Sequence, residues 1–296
     1  MQPELMRLFV DVAEAGSISR VAADRVKAQS YISRQIARLE RDCRSKLFER
    51  TGRGVVLTDT GRKILPRIRA WLEATEQLDS DIRSSSGVIV GTVRLGVLPS
   101  TAHPFATTLY RRVRDTCPGI KLQVIEAGPQ LDAWIEGGRL DIAVLFRYGP
   151  LKKNETPLAT TDTYLVGPAG DALTNSATVE FNRLSGLPLC LPVPQSDLRN
   201  KLEEHARRRR VQLCVAVEAN SLSFQLGVAR EGLCHTLLSP YSLTPELENG
   251  SLQAAQIVQP RLLRTLTLVS NPHGPVTPAC RAVMRLINEI LPARTG

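Results

Sequence analysis

The 296-residue chain predicts an α/β protein in three parts: an N-terminal winged helix-turn-helix, a long linker helix, and a C-terminal two-lobed effector-type α/β domain. Three observations carry this prediction. Residues 17–40 read SISRVAADRVKAQSYISRQIARLE, two helices with a break too short for anything but a turn. After Thr58 a long helical stretch carries a heptad-like apolar seam. From Val88 onward, apolar runs of strand length alternate with amphipathic helical stretches, the grammar of βαβ units. The expected boundaries are 1–58 for the head, 59–87 for the linker helix and hinge, and 88–296 for the last domain. Within the latter, one lobe takes about 88–163 and 267–296, the other about 164–266.

In the head, Pro3–Ala15 carries a helical stripe of Leu5, Leu8, Phe9 and Val12. Ser19 is placed to cap the second helix, and Ala22 and Ala23 allow close packing. On the third helix Ile32, Ile36 and Leu39 form one apolar stripe, which leaves Gln29, Ser30, Tyr31, Ser33, Arg34 and Arg41 on other faces. The first five are candidates to read base edges, since helix-turn-helix docking lays such side chains in the major groove. Lys46, Arg50 and Arg53 surround Gly52 and Gly54 ahead of the apolar run Val55–Leu57, a two-stranded wing whose cations reach phosphates or the minor groove. The alternative to that wing is a solvated loop with ordinary charges.

Charge supports a polyanion partner for this head. Residues 1–72 hold 15 Lys+Arg against 8 Asp+Glu, a net +7 of the chain's +9. No stretch approaches the roughly 20 apolar residues of a membrane span, and a signal-peptide core is lacking at the N-terminus, so a cytoplasmic protein without a membrane partner is expected. Six scattered Cys and four lone His show no metal-ligand spacing, so no metal and no cofactor is expected, and the cysteines read as small buried hydrophobes. The chain lacks the GxSxG, P-loop, GxGxxG and HExxH patterns, which argues against an enzyme.

Thr58 opens the linker helix as its cap. Ile64, Ile68, Trp71, Leu78 and Ile82 then recur at heptad-like intervals, with Thr75 between them, and self-pairing is the natural use of such a seam. Pro66 is expected to kink the helix, and Ser84–Gly87 to act as a hinge.

The C-terminal part reads as strands at Thr92–Leu98, Ile120–Ile125, Leu140–Phe146, Pro188–Leu191, Cys214–Glu218, Cys234–Leu238 and Leu263–Ser270. Helices are expected at His103–Asp115, Leu131–Glu136, Asp197–Arg209, Leu222–Glu231 and Pro278–Leu291. Such alternation implies mostly parallel sheets, with crossovers between lobes near Tyr164 and Leu266. Ligands of open α/β sheets bind beyond the carboxyl ends of strands. That rule picks out Pro99-Ser100-Thr101, Glu126-Ala127-Gly128, Phe146-Arg147, Val193-Pro194-Gln195-Ser196 and Asn220-Ser221, and within them Ser100, Thr101, Gly128, Phe146, Arg147, Pro194, Gln195 and Ser221 as effector-binding candidates. Ser100 and Thr101 sit at a strand-to-helix turn where hydroxyls and amides can hold an anion, or where they simply cap the helix. Arg147 offers a bidentate contact to a carboxylate, or a salt bridge. The Arg207–Arg210 run closes a helix and reads as a solvated end.

At this point the first 65 or so residues resemble a LysR-type transcriptional regulator. The matching residues are Phe9, Ala13, Gly16-Ser17, Ala22-Ala23, Gln29-Ser30, Ser33-Arg34-Gln35-Ile36, Leu39-Glu40, Leu47-Phe48-Glu49-Arg50 and Leu57-Thr58-x-x-Gly61. GTVRLGV, GGRLDIAVL and the Gly232–Ser239 segment extend the likeness more loosely. Cys43-Arg44 departs from the aliphatic-Gly pair usual there, which predicts a looser turn. The resemblance implies lobes like those of periplasmic binding proteins. It also implies a regulator that binds double-stranded operator DNA as a homodimer or homotetramer and senses a small metabolite between its lobes. RNA polymerase is a further candidate partner. The expected function is therefore a sequence-specific regulator responding to a small, anionic effector; the alternative is a ligand-independent or architectural DNA-binding protein.

Overall fold

Every apolar stripe of the head turns inward. The computed structural model describes residues 2–52, 54–83, 89–273 and 276–291. Helices α1 (Pro3–Ala15), α2 (Ile18–Asp24) and α3 (Gln29–Asp42) bury Leu8, Val12, Val21, Ile32 and Ile36 in one cluster. Ser17, not Ser19, caps α2, its Oγ accepting from the Arg20 amide at 3.3 Å. The reason lies one residue earlier: Gly16, at φ 61°, closes α1 and leaves Ser17 in the extended conformation that a cap requires.

Helices α2 and α3 both end in Schellman turns without glycine. Lys27 N–H donates to Ala22 O (2.9 Å) and Val26 N–H to Ala23 O; Ser45 N–H donates to Glu40 O (3.1 Å) and Arg44 N–H to Arg41 O. The left-handed positions are Val26 (φ 52°) and Arg44 (φ 50°). The turn at Cys43-Arg44 is therefore as tight as glycine would make it, contrary to expectation, with an arginine carrying the strained backbone.

The wing pairs β1 (Phe48–Thr51) with β2 (Gly54–Leu57). It docks through Val55 N–H on Gly16 O at 2.9 Å. A Cβ at Gly54 (φ 143°) would overlap that carbonyl, so glycine is required there. Thr58 Oγ1 accepts from Gly61 N–H at 3.0 Å and opens α4 (Asp59–Arg83) as expected. The seam of α4 divides. Ile64 and Ile68 pack on the head's second cluster, with Met6, Phe9, Leu39, Leu47 and Leu72, whereas Trp71 and Leu78 stay exposed. The Ile82 side chain and the Ser84–Gly87 hinge lie outside the described residues.

The remaining chain forms two mixed sheets. The first contains β3 (Gly91–Val97), β4 (Ile120–Glu126), β5 (Ile142–Arg147), β6 (Glu155–Asp162) and β13 (Leu263–Ser270) in the order β4-β3-β5-β13-β6. Helices α6 (Thr107–Thr116) and α11 (Pro278–Ile290) cover one face, and α7 (Gln130–Glu136) covers the other. The second sheet contains β7 (Tyr164–Pro168), β8 (Thr178–Glu180), β9 (Pro188–Leu191), β10 (Cys214–Glu218), β11 (His235–Leu238) and β12 (Leu252–Val258), ordered β10-β9-β11-β7-β12-β8. It packs against α8 (Asp197–Arg209) and α9 (Leu222–Arg230), with the short α10 (Thr244–Glu248) leading into β12.

Every antiparallel pairing in these two sheets involves β7 or β13, the strands entered immediately after a crossover between lobes. The sheets are mixed rather than mostly parallel for that reason: a chain that leaves one lobe and returns must reverse direction. The first crossover is at Thr163, as expected near Tyr164. The second lies at 259–262, so residues 263–266 belong with the first lobe, not with the second. Cys117, Cys190, Cys234 and Cys280 are buried, as small hydrophobes should be, but Cys43 and Cys214 are exposed.

Candidate DNA-reading face and effector cleft

Because Ile32, Ile36 and Leu39 are committed to the core, the opposite face of α3 presents Gln29, Ser30, Tyr31 and Arg34 to solvent, with Ser33 half-buried beside them. Arg38, one turn beyond Arg34, extends this face and went unnoticed in the sequence. Arg34 Nε donates to Ser30 O at 3.2 Å, which holds the side chain along the helix. Arg50 is exposed on β1; Arg53 lies outside the described residues. Lys46 is not free for a phosphate in this state, since its Nζ pairs with Glu40 Oε2 at 2.7 Å.

Glu40 is the joint between reading helix and wing. Its other oxygen accepts from the amides of Leu47 (3.0 Å) and Phe48 (3.2 Å). Burial pushes its carboxyl up, but the hydrogen bonds from Lys46, Leu47 and Phe48 outweigh that, and its pKa lies below the ordinary value. A second joint ties α4 to both neighbours. Buried Arg69 donates from Nη2 to Glu14 Oε1 of α1 at 2.7 Å, and from Nη1 to Gly137 O of the first lobe.

Between the lobes lies a cavity of about 130 Å³. Leu98 and Ser100 after β3, Gly128 after β4, Phe146–Tyr148 at the end of β5, Gln195 after β9 and Asn220 after β10 line it from both sides. A Cβ on Gly128 would approach Asn220 Nδ2 of the opposite lobe to 3.2 Å. Two polar contacts join the lobes here: Ser242 Oγ donates to Ser100 O at 2.6 Å, and Arg147 Nη1 pairs with Asp197 Oδ2 at 3.3 Å.

Of the effector candidates, Ser100, Gly128, Phe146, Arg147 and Gln195 line the cavity; Thr101, Pro194 and Ser221 do not. Thr101 is buried and its hydroxyl donates to Leu98 O at 3.0 Å. Ser221 Oγ caps α9 by accepting from Phe224 N–H. The expected helix terminus at Ser100 is also altered. The α-helical turn there, α5, spans only Pro99–Thr101, and a π-turn follows over Ala102–Ala106. Pro99 has no N–H, and the Thr101 amide already donates to Leu98 O, so the segment makes a poor anion cradle.

The two cavity arginines differ completely. Arg147 is surrounded: Nε donates to Glu155 (2.9 Å), Nη1 to Asp132 (3.0 Å) and to Asp197 (3.3 Å). Burial alone would lower its pKa, but the hydrogen bonds and charges of Asp132 and Glu155 raise it. The opposite holds at Asp197, where burial, reinforced by the neighbouring Asp132 and Glu155, raises the carboxyl pKa despite Arg147. Arg147 is thus the hub of an ion-pair cluster rather than an available anion site. Arg264, on β13, is 4% exposed. Among the described residues its polar and ring contacts are with neutral groups: Nη1 reaches Tyr148 Oη at 3.4 Å, and the guanidinium carbon stacks 4.1 Å from the Phe146 ring centroid. Among the described residues its Nε and Nη2 have no hydrogen-bond partner. Burial lowers its pKa, and Tyr148 only partly opposes this.

Comparison with known proteins agrees with this architecture. Residues 3–62 match the family described as bacterial regulatory helix-turn-helix protein, lysR family, and residues 86–292 match the LysR substrate binding domain. The chain is 28% identical over 295 residues to the nitrogen assimilation regulatory protein nac of Klebsiella aerogenes, covering 97% of this chain and 94% of that protein. A full-length OxyR variant from Pseudomonas aeruginosa superposes with a TM-score of 0.73 at 18% identity, covering 98% and 97% of the two chains. CbnR, solved with its target DNA, gives 0.64 at 17% identity, covering 98% and 99%.

Proposed function

This chain belongs to the LysR family of DNA-binding transcriptional regulators with an effector-binding domain, and we propose that it reads its operator through α3 and changes that reading when a small anion occupies the interlobe cleft. The observation that carries this reading is the exposed polar row Gln29, Ser30, Tyr31 and Arg34, held rigid because the reverse face of the same helix is core. Ser33 and Arg34 complete the base-reading set; Arg50 and Arg53 contact phosphates, and Lys46 joins them when it leaves Glu40. Ser100, Gly128, Phe146 and Gln195 form walls of the effector site.

Exposed Trp71 and Leu78 on α4 support self-association as a homodimer or homotetramer, with Ile64 and Ile68 bracing the helix on the head. Such a dimer doubles the DNA contacts. Arg69, which touches both head and first lobe, offers a side-chain link between the effector domain and the DNA-binding head. No helix among the described residues is long and apolar enough to cross a membrane, which fits action on chromosomal DNA in the cytoplasm, with RNA polymerase as the downstream partner. No catalytic step or cofactor belongs to this reading.

The test is a thermal-shift screen of the full chain against small carboxylates, amino acids, aromatic acids and phosphorylated metabolites, followed by operator titrations with any hit. A ligand at 100 times its Kd adds roughly 2.7 kcal/mol to the native state. A hit that alters operator affinity or footprint supports the reading; sequence-indifferent DNA binding that no metabolite changes would favour an architectural protein instead.

A further inference from the structure

We propose that Arg264 is the anion-binding residue of the interlobe cavity, and that the cavity selects a small monocarboxylic acid with an apolar body. This deepens the effector reading above and rests on it. A guanidinium binds a carboxylate best through a pair of parallel N–H donors on one edge. Arg264 has such an edge unpaired, since its Nε and Nη2 are buried without a partner among the described residues, and the residue lines the cavity while only 4% exposed. A buried cation without a counter-ion is unfavourable, and a ligand carboxylate supplies the missing charge together with the missing acceptors. Arg147 cannot serve, because Asp132, Glu155 and Asp197 already occupy its donors.

Two further features define the ligand. Leu98, Leu145, Leu237 and Leu238 make much of the lining apolar, and 130 Å³ is close to the roughly 150 Å³ of an apolar cavity known to hold a benzene ring. Asp132 and Asp197 also line the cavity and, with Glu155, outnumber the Arg147 that they surround, so a second negative charge on the ligand meets an excess of carboxylates. That disfavours dicarboxylates and phosphate esters, and favours a single carboxylate on a ring or branched chain.

The placement follows from topology. β13 runs antiparallel to β5, with Thr265 opposite Arg147, so the amino end of β13 lies at the carboxyl edge of its neighbours. Arg264 therefore reaches the ligand edge from a strand's beginning.

The experiment uses the full chain with benzoate, 3-methylbutanoate, benzamide and phenyl phosphate, read by calorimetric titration and thermal shift. At least one of the two acids should bind saturably, with benzamide and phenyl phosphate at least tenfold weaker. Arg264→Gln should lower acid affinity by roughly 10- to 100-fold, the worth of hydrogen bonds to a charged group, while leaving the unliganded melting temperature unchanged or higher. Arg264→Lys, which keeps the charge, should retain preference for acid over amide and carries the test if the glutamine variant does not fold. Ser100→Trp, which fills the cavity, should abolish binding in either case. Acid binding that survives Arg264→Gln but not Ser100→Trp would overturn the assignment of Arg264 and leave the cleft as the effector site. Binding that survives both would overturn the effector reading itself. A panel in which neither acid binds, or in which benzamide binds equally, would overturn the ligand class. A melting temperature lowered by Arg264→Gln with affinity unchanged would make Arg264 structural.

Discussion

The proposed DNA-reading residues Gln29, Ser30, Tyr31 and Arg34 lie on the first two turns of one helix, close in sequence and exposed, with Ser33 half-buried beside them. The cleft takes its lining from the ends of β3, β4, β5, β9, β10 and β11 and from the start of β13, between residues 98 and 264. In the head, polar groups are satisfied by neighbours within one small fold, as Glu40 shows with the Leu47 and Phe48 amides. In the cleft, charges are satisfied across lobes or remain unsatisfied, as Arg147 and Arg264 show respectively. A reading surface works by presenting fixed groups to a large rigid partner. A sensing site works by holding its energy in contacts that an occupant can change.

The largest expected effect in the cleft comes from Arg147→Met. It strips the shared counter-ion from Asp132, Glu155 and Asp197, of which Glu155 has a fully buried side chain. Removing one partner of a buried ion-pair cluster costs about 3–5 kcal/mol, the lower end applying here because Asp132 and Asp197 keep partial access to water. Urea denaturation monitored by circular dichroism should show it as a lowered midpoint; an unchanged midpoint would place the hub on the solvated surface.

In the head, Arg34→Ala should lower operator affinity by about 1–3 kcal/mol while changing binding to random DNA far less, the signature of a base contact. Fluorescence anisotropy on both DNAs at one salt concentration measures the ratio. Equal losses would reassign Arg34 to a phosphate.

Glu40→Gln sharpens the contrast through pH. The charged form accepts two amides and Lys46, so the substitution should cost about 1–2 kcal/mol at neutral pH. Because the folded pKa lies below the ordinary 4.5, the wild-type advantage is present above that value and is lost as pH falls through the lowered one. Stability curves of the two proteins should therefore converge on the acid side, and parallel curves would show that the carboxylate is not the source.

The smallest effect, and one of opposite sign, is expected at the Schellman turn. Arg44→Gly relieves a left-handed backbone at the expense of unfolded-state entropy, for a net gain of a few tenths to about 1 kcal/mol. A loss of stability in thermal unfolding would mean that the arginine side chain contributes more than its backbone costs.

Much of the head was legible because its signals are local. The stripe Ile32-Ile36-Leu39 and the capping hydroxyl of Thr58 are signals spaced within a few residues, whereas Gly54 is legible as a turn residue although the distant Gly16 carbonyl is what requires it. The misplaced cap at Ser19 was an error of two positions, caused by missing that Gly16 turns the chain early. Strands β6, β7, β8 and β12 were not anticipated. β6 reads ETPLATTD, mostly polar with Pro157, and is tolerable only as the edge strand that it turns out to be.

The cleft was half legible. The rule that ligands sit beyond strand carboxyl ends found Ser100, Gly128, Phe146, Arg147 and Gln195, and its segment Asn220-Ser221 supplies Asn220 to the lining. It passed over Arg264, which sits at a strand's amino end and shares the cavity only because β13 runs back through the first sheet. The sequence by itself determined the helical periods, the caps, the basic head and the alternation that makes α/β lobes, since these depend on contacts between near neighbours. Only the tertiary structure decided which arginine is neutralised and which, among the described residues, has no carboxylate beside it. Asp132, Glu155 and Asp197 reach Arg147 from three separate elements, and burial against water turns the remaining cation, Arg264, into a site.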